Sequence, residues 1–205
     1  MSERRTSIVT FYSYKGGVGR TQALANVAVA LANEGHYVIV VDLDLESPGL
    51  HCFFSPLEDP GRPLCDSDLS VRGGMLEWLE SCFESPKEEP QVSDHLLACS
   101  HRTLMPARGQ LHLLSAGRLD ERYAERVSAL NWERFYSDFN GAEYMELLRI
   151  QLKRTGADYV LIDSRTGLTD VGLICTFQLP DLVVLLFALH QQGIDGAVRM
   201  SRGLN

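Results

Sequence analysis

Residues 7–44 read SIVTFYSYKGGVGRTQALANVAVALANEGHYVIVVDLD. The β-branched and aromatic run at 7–12 predicts a strand, and the glycines that follow soon after turn it into a loop. Over 20–34, Leu24, Val27, Ala28 and Leu31 recur at three-to-four spacing, and Gly35 supplies a stop signal, so this segment predicts a helix. Residues 37–43 (YVIVVDL) are almost continuously apolar, as in a strand buried on both faces. Strand, glycine loop, helix and strand make a βαβ unit, and its two strands lie parallel. The fold class that follows is α/β, a mainly parallel sheet with helices on both faces.

Outward from this unit, residues 158–163 (DYVLID), 182–189 (LVVLLFAL) and the shorter 111–115 (LHLLS) predict further strands, giving four or five in all. Seven of the eight prolines fall between Pro48 and Pro106, so the stretch at about 48–110 is expected to be an irregular insert of loops with short helices such as 74–83. A helical pattern returns over 119–154, in two pieces broken near Asn140-Gly141. The 205 residues fit a single domain, 45% hydrophobic and 22% charged, which excludes wholesale disorder. With 19 Lys+Arg against 27 Asp+Glu, the chain carries a net charge of −8 and has no nucleic-acid footprint. The longest apolar run is less than half a membrane span, and the N-terminus does not fit a signal peptide. Five cysteines without a Cys-x-x-Cys pair are read as idle thiols in a reducing cytoplasm. His51-Cys52 and His101 lack ligand-spaced partners, and Trp78 and Trp132 are assigned to the core.

The sharpest chemical signal is Tyr14-Lys15-Gly16-Gly17-Val18-Gly19-Arg20-Thr21-Gln22, set between strand and helix. Glycines let successive N–H groups converge on an anion, and the helix N-terminus adds its dipole. A dinucleotide-binding reading fails because Gln22 stands where the third glycine belongs. Against the phosphate-loop pattern G-x-x-x-x-G-K-[ST] the segment departs twice: Tyr14 replaces the first glycine and Arg20 replaces the lysine. Arginine keeps the charge and can fork onto two oxygens, but it cannot imitate a compact ammonium between phosphates, which puts fast hydrolysis in doubt. Asp42 and Asp44 leave the second strand as D-L-D, with both carboxylates on one face at the strand end where open α/β sheets bind ligands. Asp163 terminates another apolar strand, the arrangement in which a carboxylate holds Mg²⁺ with the Thr21 hydroxyl as a second ligand.

The run from Lys15 to Gly19, and more narrowly KGGVGRTQALANVA, resembles the deviant phosphate loop of the ParA/MinD family of P-loop ATPases, in a branch with arginine at the lysine position. The resemblance implies ATP and Mg²⁺ as cofactors and a nucleotide-bridged homodimer in which Lys15 reaches the partner's nucleotide. It implies that Asp44 handles the attacking water and that Asp42 lies nearer the metal shell with Thr21 and Asp163. Asp42 as a turn-capping acid and Lys15 as a solvated loop lysine stand as the alternative readings. Gly167, in D-x-x-x-G, matches the family's switch loop. Arg165 is either a second phosphate contact or the partner of Asp170. The related iron–sulfur reductases need cysteines close behind the switch loop, and the isolated Cys175 does not meet that need. By resemblance, the sequence is the N-terminal portion of a longer protein with an appended domain or protein partner. The function expected is a slow, nucleotide-dependent dimeric switch ATPase. The alternative is a nucleotide-sensing regulatory module with little or no hydrolysis; a kinase-like phosphotransferase is a distant third.

Overall fold

The computed structural model describes residues 5–84, 89–105, 108–166, 174–189 and 191–203. The opening unit is β1 (Ser7–Ser13), α1 (Arg20–Asn33) and β2 (Tyr37–Asp42). There follow α2 (Asp66–Leu69), α3 (Met75–Glu84), β3 (Leu96–Ala98) and β4 (Gln110–Leu114). The chain continues through α4 (Tyr123–Ala129), α5 (Trp132–Asp138), α6 (Gly141–Arg154) and β5 (Tyr159–Asp163). A π-helical turn (Ile174–Gln178), β6 (Leu182–Leu186) and α7 (Gln191–Gly203) complete it. The strands form one sheet in the order β3-β4-β2-β5-β1-β6, parallel throughout except for the β3–β4 pair.

Period-two alternation sorts the central strands into two cores. Val38, Val40, Leu111, Leu113 and Leu161 pack with α1 on one face. Ile39, Val41, Leu114, Val160 and Ile162 pack with α3 and α6 on the other. Burial on both faces is why β2 reads as an unbroken apolar run. The inner stripe of α1 is Leu24, Ala25, Ala28, Val29 and Ala32, while Val27, which the spacing placed in the stripe, is 39% exposed. The alanines let the helix backbone lie close to the sheet, and the stripe rotates toward them.

The predicted strands are present, with β6 ending at Leu186 rather than 189; Phe187 and Leu189 are exposed. A sixth strand, the antiparallel β3, lies inside the proline-rich stretch; three residues are too few to show a period. The helical region after 119 breaks twice rather than once. Asn140 adopts φ 55° ahead of Gly141, and Asn131 opens α5 by accepting the Arg134 N–H at 2.8 Å. Trp78 is fully buried, whereas Trp132 is only half-buried.

Cross-strand bonds fix both ends of the sheet. At the end where β1 begins, Thr6 Oγ1 donates to the Ala157 carbonyl at 2.7 Å, and the Ile8 N–H donates to Asp181 Oδ2 at 3.0 Å. At the opposite end, Leu43 N donates to the Asp163 carbonyl at 2.9 Å, and Ser164 Oγ to the Phe11 carbonyl at 2.9 Å. The carboxyl ends of β1, β2 and β5 are thereby brought into one place.

The start of α3 is docked on the chain after β4: Met75 N and Leu76 N donate to the carbonyls of Ser115 and Ala116 at 2.8 and 2.9 Å. A Cβ on Gly74 would lie 2.2 Å from the Ser115 carbonyl oxygen, a backbone atom that cannot swing away. Gly74→Ala is therefore expected to lower stability by about 1–3 kcal/mol, the range for overpacking. Gly61→Ala, whose Cβ would meet nothing nearer than 3.6 Å, should stay within about 0.5 kcal/mol of the parent. Urea midpoints of the two variants check this, and equal midpoints would refute the docking constraint.

Candidate functional site

β1 ends at Ser13, and residues 14–19 carry the chain into α1. Gly19 is the N-cap of α1 at φ 79°, its first turn contains no acid, and no side chain caps it. The free N–H groups and the positive end of the helix dipole are left facing the loop, uncompensated. Gly17 is also left-handed, at φ 76°, a conformation that glycine adopts without steric cost. A Cβ built on Gly16, Gly17 or Gly19 would meet nothing within 4 Å, so the three glycines border open space. That space is a cleft of about 520 Å³ lined by Ser13, Gly16 to Gln22, Asp44, Ser47, Phe53 and Thr166. An open glycine loop at an uncapped helix N-terminus is a receptor for an anion of phosphate size.

Arg20 lies at the base of the cleft with only 6% of its side chain exposed. Its Nε donates to Asp163 Oδ1 at 2.5 Å and its Nη2 to Asp44 Oδ2 at 2.9 Å. Burial opposes its charge, but the Asp163 and Asp44 carboxylates outweigh burial and hold the guanidinium above its ordinary pKa. Nη1 is buried without a hydrogen-bond partner, as are Thr10 Oγ1, Tyr12 OH and Ser13 Oγ at the end of β1. Two of these atoms, Ser13 Oγ and Arg20 Nη1, belong to side chains that line the cleft, and buried polar atoms without partners there call for a polar occupant.

Thr21 Oγ1 donates to Asp163 Oδ2 at 2.6 Å, so both oxygens of Asp163 have partners. Asp42 is fully buried, and its two oxygens accept the backbone N–H groups of Asp44, Gly49 and Leu50 at 3.1–3.2 Å. Burial, reinforced by the Asp163 carboxylate and opposed by these three N–H groups, pushes the Asp42 acid up to about 7. Asp42 thus caps the turn after β2. Thr21, Asp163 and Asp42 are the right chemical types for magnesium, but Asp42 is spent on three backbone N–H groups and Asp163 is paired with the fixed positive charge of Arg20, so the set as arranged does not fit a dication. Among the described residues no group of three or more His, Cys, Asp or Glu side chains is placed to hold a metal.

The other expected site residues are distributed around the cleft. Val18 is half-buried and Gln22 exposed, and both line it. Lys15 is exposed; its Nζ donates to Gln192 Oε1 of α7, and it borders a separate hollow of about 280 Å³ with Tyr14, Gly196 and Arg199. Arg165 pairs with Glu46, which follows β2. Gly167, Asp170 and the Cys175 side chain lie outside the described residues. Cys52, Cys65, Cys82 and Cys99 are free thiols, and burial pushes Cys82 up to about 12. Ser13, Ser47, Phe53 and Thr166 were not singled out from sequence. Ser13 has a legible signal, a hydroxyl at the strand-to-loop junction, whereas Phe53 is brought to the cleft by the irregular segment after β2 and has none.

Residues 6–48, the βαβ unit itself, match the family model described as an AAA domain. The chain is 29% identical over 175 residues to a putative septum site-determining protein MinD of Oltmannsiellopsis viridis, covering 83% of this chain and 40% of that protein. It is 25% identical over 176 residues to the cytosolic Fe-S cluster assembly factor cfd1 of Aspergillus fumigatus, covering 84% of this chain and 46% of that one. The chain therefore spans less than half the length of these curated relatives. Among solved structures, the septum site-determining protein MinD of Pyrococcus horikoshii, complexed with Mg-ADP, superposes with a TM-score of 0.63 at 18% identity. The superposition covers 97% of this chain and 65% of that one. No helix among the described residues is long and apolar enough to cross a membrane. The matched glycine-loop unit and the sequence similarity to MinD and cfd1 make the chain similar to the ParA/MinD-type P-loop ATPases, and the superposition shows that it shares their fold.

Proposed function

We propose that the chain binds ATP and ADP at the Gly16–Gln22 loop and works as a nucleotide-dependent homodimeric switch with slow hydrolysis of the γ-phosphate. The observation that carries this reading is the open glycine cradle over the buried, half-satisfied guanidinium of Arg20. Phosphate oxygens would be received by the loop N–H groups and by Arg20, with Ser13 and Thr21 hydroxyls beside them. Magnesium, which the family resemblance implies, would meet at Asp163 an oxygen already paired with the Arg20 guanidinium.

Lys15 supports the dimeric part of the reading. Its ammonium is exposed and borders its own hollow instead of the phosphate cleft, and a second subunit's nucleotide would have to draw it from Gln192. A cation supplied in trans would neutralise charge developing on the transferred group. Asp44 stands at the cleft wall, where a carboxylate can orient water, but Arg20 engages one of its oxygens. That engagement favours a second reading, a nucleotide sensor with little or no turnover that controls an appended domain or partner. A cytoplasmic location suits either one.

Gly19→Val is expected to abolish nucleotide binding, because a branched side chain at φ 79° is strained and its Cβ would project into the phosphate path. Calorimetry with ADP checks it, and unchanged affinity would refute this placement of the site.

Lys15→Ala and Asp44→Ala are expected to diverge. The first should bind ATP and remain monomeric. The second should accumulate as an ATP-bound dimer, with phosphate release slowed by about 10²-fold, as for loss of a positioned proton-transfer group. Sedimentation with ATP, alongside phosphate release, separates the readings. Parent protein that binds ATP without dimerising or releasing phosphate is a sensor.

A further inference from the structure

The orphaned nitrogen of Arg20 and the closed oxygens of Asp163 pose one question: what neutralises the phosphates in this cleft? Mg²⁺ needs oxygen ligands in near-octahedral array and gives up its waters reluctantly. Here Asp163 Oδ1 is held by Arg20 Nε at 2.5 Å and Oδ2 by Thr21 Oγ1 at 2.6 Å, while Asp42 is consumed by three backbone N–H groups. A guanidinium cannot discharge to make room, so an arriving dication would stand beside a fixed positive charge.

The same side chain is shaped to replace that dication. Its planar fork places Nε on Asp163 and Nη2 on Asp44, 24 residues beyond it in the chain, which locks the plane of the group. Locking leaves Nη1, with two N–H donors, buried and without a partner, on a side chain that lines the cleft of the glycine loop. A lysine ammonium has one nitrogen and could not hold both carboxylates and still present a fixed pair of donors. The two acids therefore orient the cation at the wall of the cleft.

We propose that Arg20 is the resident counter-cation of this cleft, so that the protein holds nucleotide phosphate without a divalent metal. This rests on the nucleotide-binding reading above and adds to it the source of the neutralising charge. Asp44 and Asp163 then act as positioning residues for Arg20.

The test is calorimetric titration of the protein with ADP in excess EDTA and again in excess magnesium chloride. The two affinities of the parent are expected to agree within about threefold. Arg20→Lys, which frees an oxygen of Asp163, is expected to bind about tenfold or more tightly with magnesium than without it. Should Arg20→Lys fail to fold, Arg20→Gln, a neutral side chain that also releases Asp163, carries the same expectation. Parent protein that loses tenfold or more on chelation overturns the inference while leaving the nucleotide reading intact. Replacements that stay metal-independent also overturn it, because the independence would not belong to Arg20. Absence of ADP binding in both buffers overturns the nucleotide reading itself, and this inference with it.

Discussion

Arg20 joins three segments that the chain delivers separately: the first turn of α1, the end of β5 through Asp163, and the turn after β2 through Asp44. A buried ion pair gains little net stability over an apolar replacement, yet removing one partner typically costs about 3–5 kcal/mol, because a charge is left stranded. Its value is therefore geometric. Two carboxylates at the carboxyl ends of parallel strands would repel each other across a low-dielectric floor, and the guanidinium between them turns that repulsion into a fixed spacing. Asp42, the third acid, stays out of this arrangement by capping the turn at Gly49 and Leu50, and its raised pKa marks how little room the floor has for another negative charge.

The two ends of the sheet contrast in how completely their polar groups are used. Where β1 begins, Asp181 accepts from Ile8 N, Arg149 Nη2 and Lys153 Nζ at 2.9–3.0 Å, and Thr6 Oγ1 is bonded to the Ala157 carbonyl. Where β1 ends, Tyr12, Ser13 and Arg20 each leave a buried polar atom unpaired. Desolvating a polar atom without a partner costs about 1–3 kcal/mol. A fold that satisfies one end and leaves the other unsatisfied has placed its strain where a ligand can relieve it, which agrees with the rule that open α/β sheets bind at the carboxyl ends of their strands.

The parallel core was legible because its strands are buried on both faces, so composition alone marks them, and the glycine loop was legible because positive φ demands glycine at 17 and 19. β3 was not, since a three-residue edge strand among prolines carries no period. The second break in the helical region depends on one Asn131 cap, a signal shared by many loop asparagines. In the site, residue types were readable and their pairings were not. The motif marks Arg20 as a phosphate ligand, but its two carboxylates come from positions 24 and 143 residues away. Arg165 pairs with Glu46, which follows the neighbouring strand β2, 119 residues earlier in the chain. Long-range pairing of side chains follows from topology, which spacing within a motif does not encode.

The departure at Tyr14, where phosphate loops carry a glycine, has a structural counterpart elsewhere. A Cβ on Gly196 would lie 2.3 Å from Tyr14 Cδ1, so the tyrosine ring occupies the space that a side chain on α7 would otherwise fill. The glycine requirement has moved from the loop to the helix that faces it. Lys15 extends the same contact by bonding to Gln192, one turn earlier on α7. The loop thus has two mechanically different halves: residues 14–15 are fastened to α7, while Gly16, Gly17 and Gly19 touch nothing on their open side. A cradle of this kind keeps its anion-facing N–H groups adjustable while its entrance is anchored, so the motif's first departure from pattern is a packing solution and its second, Arg20, an electrostatic one.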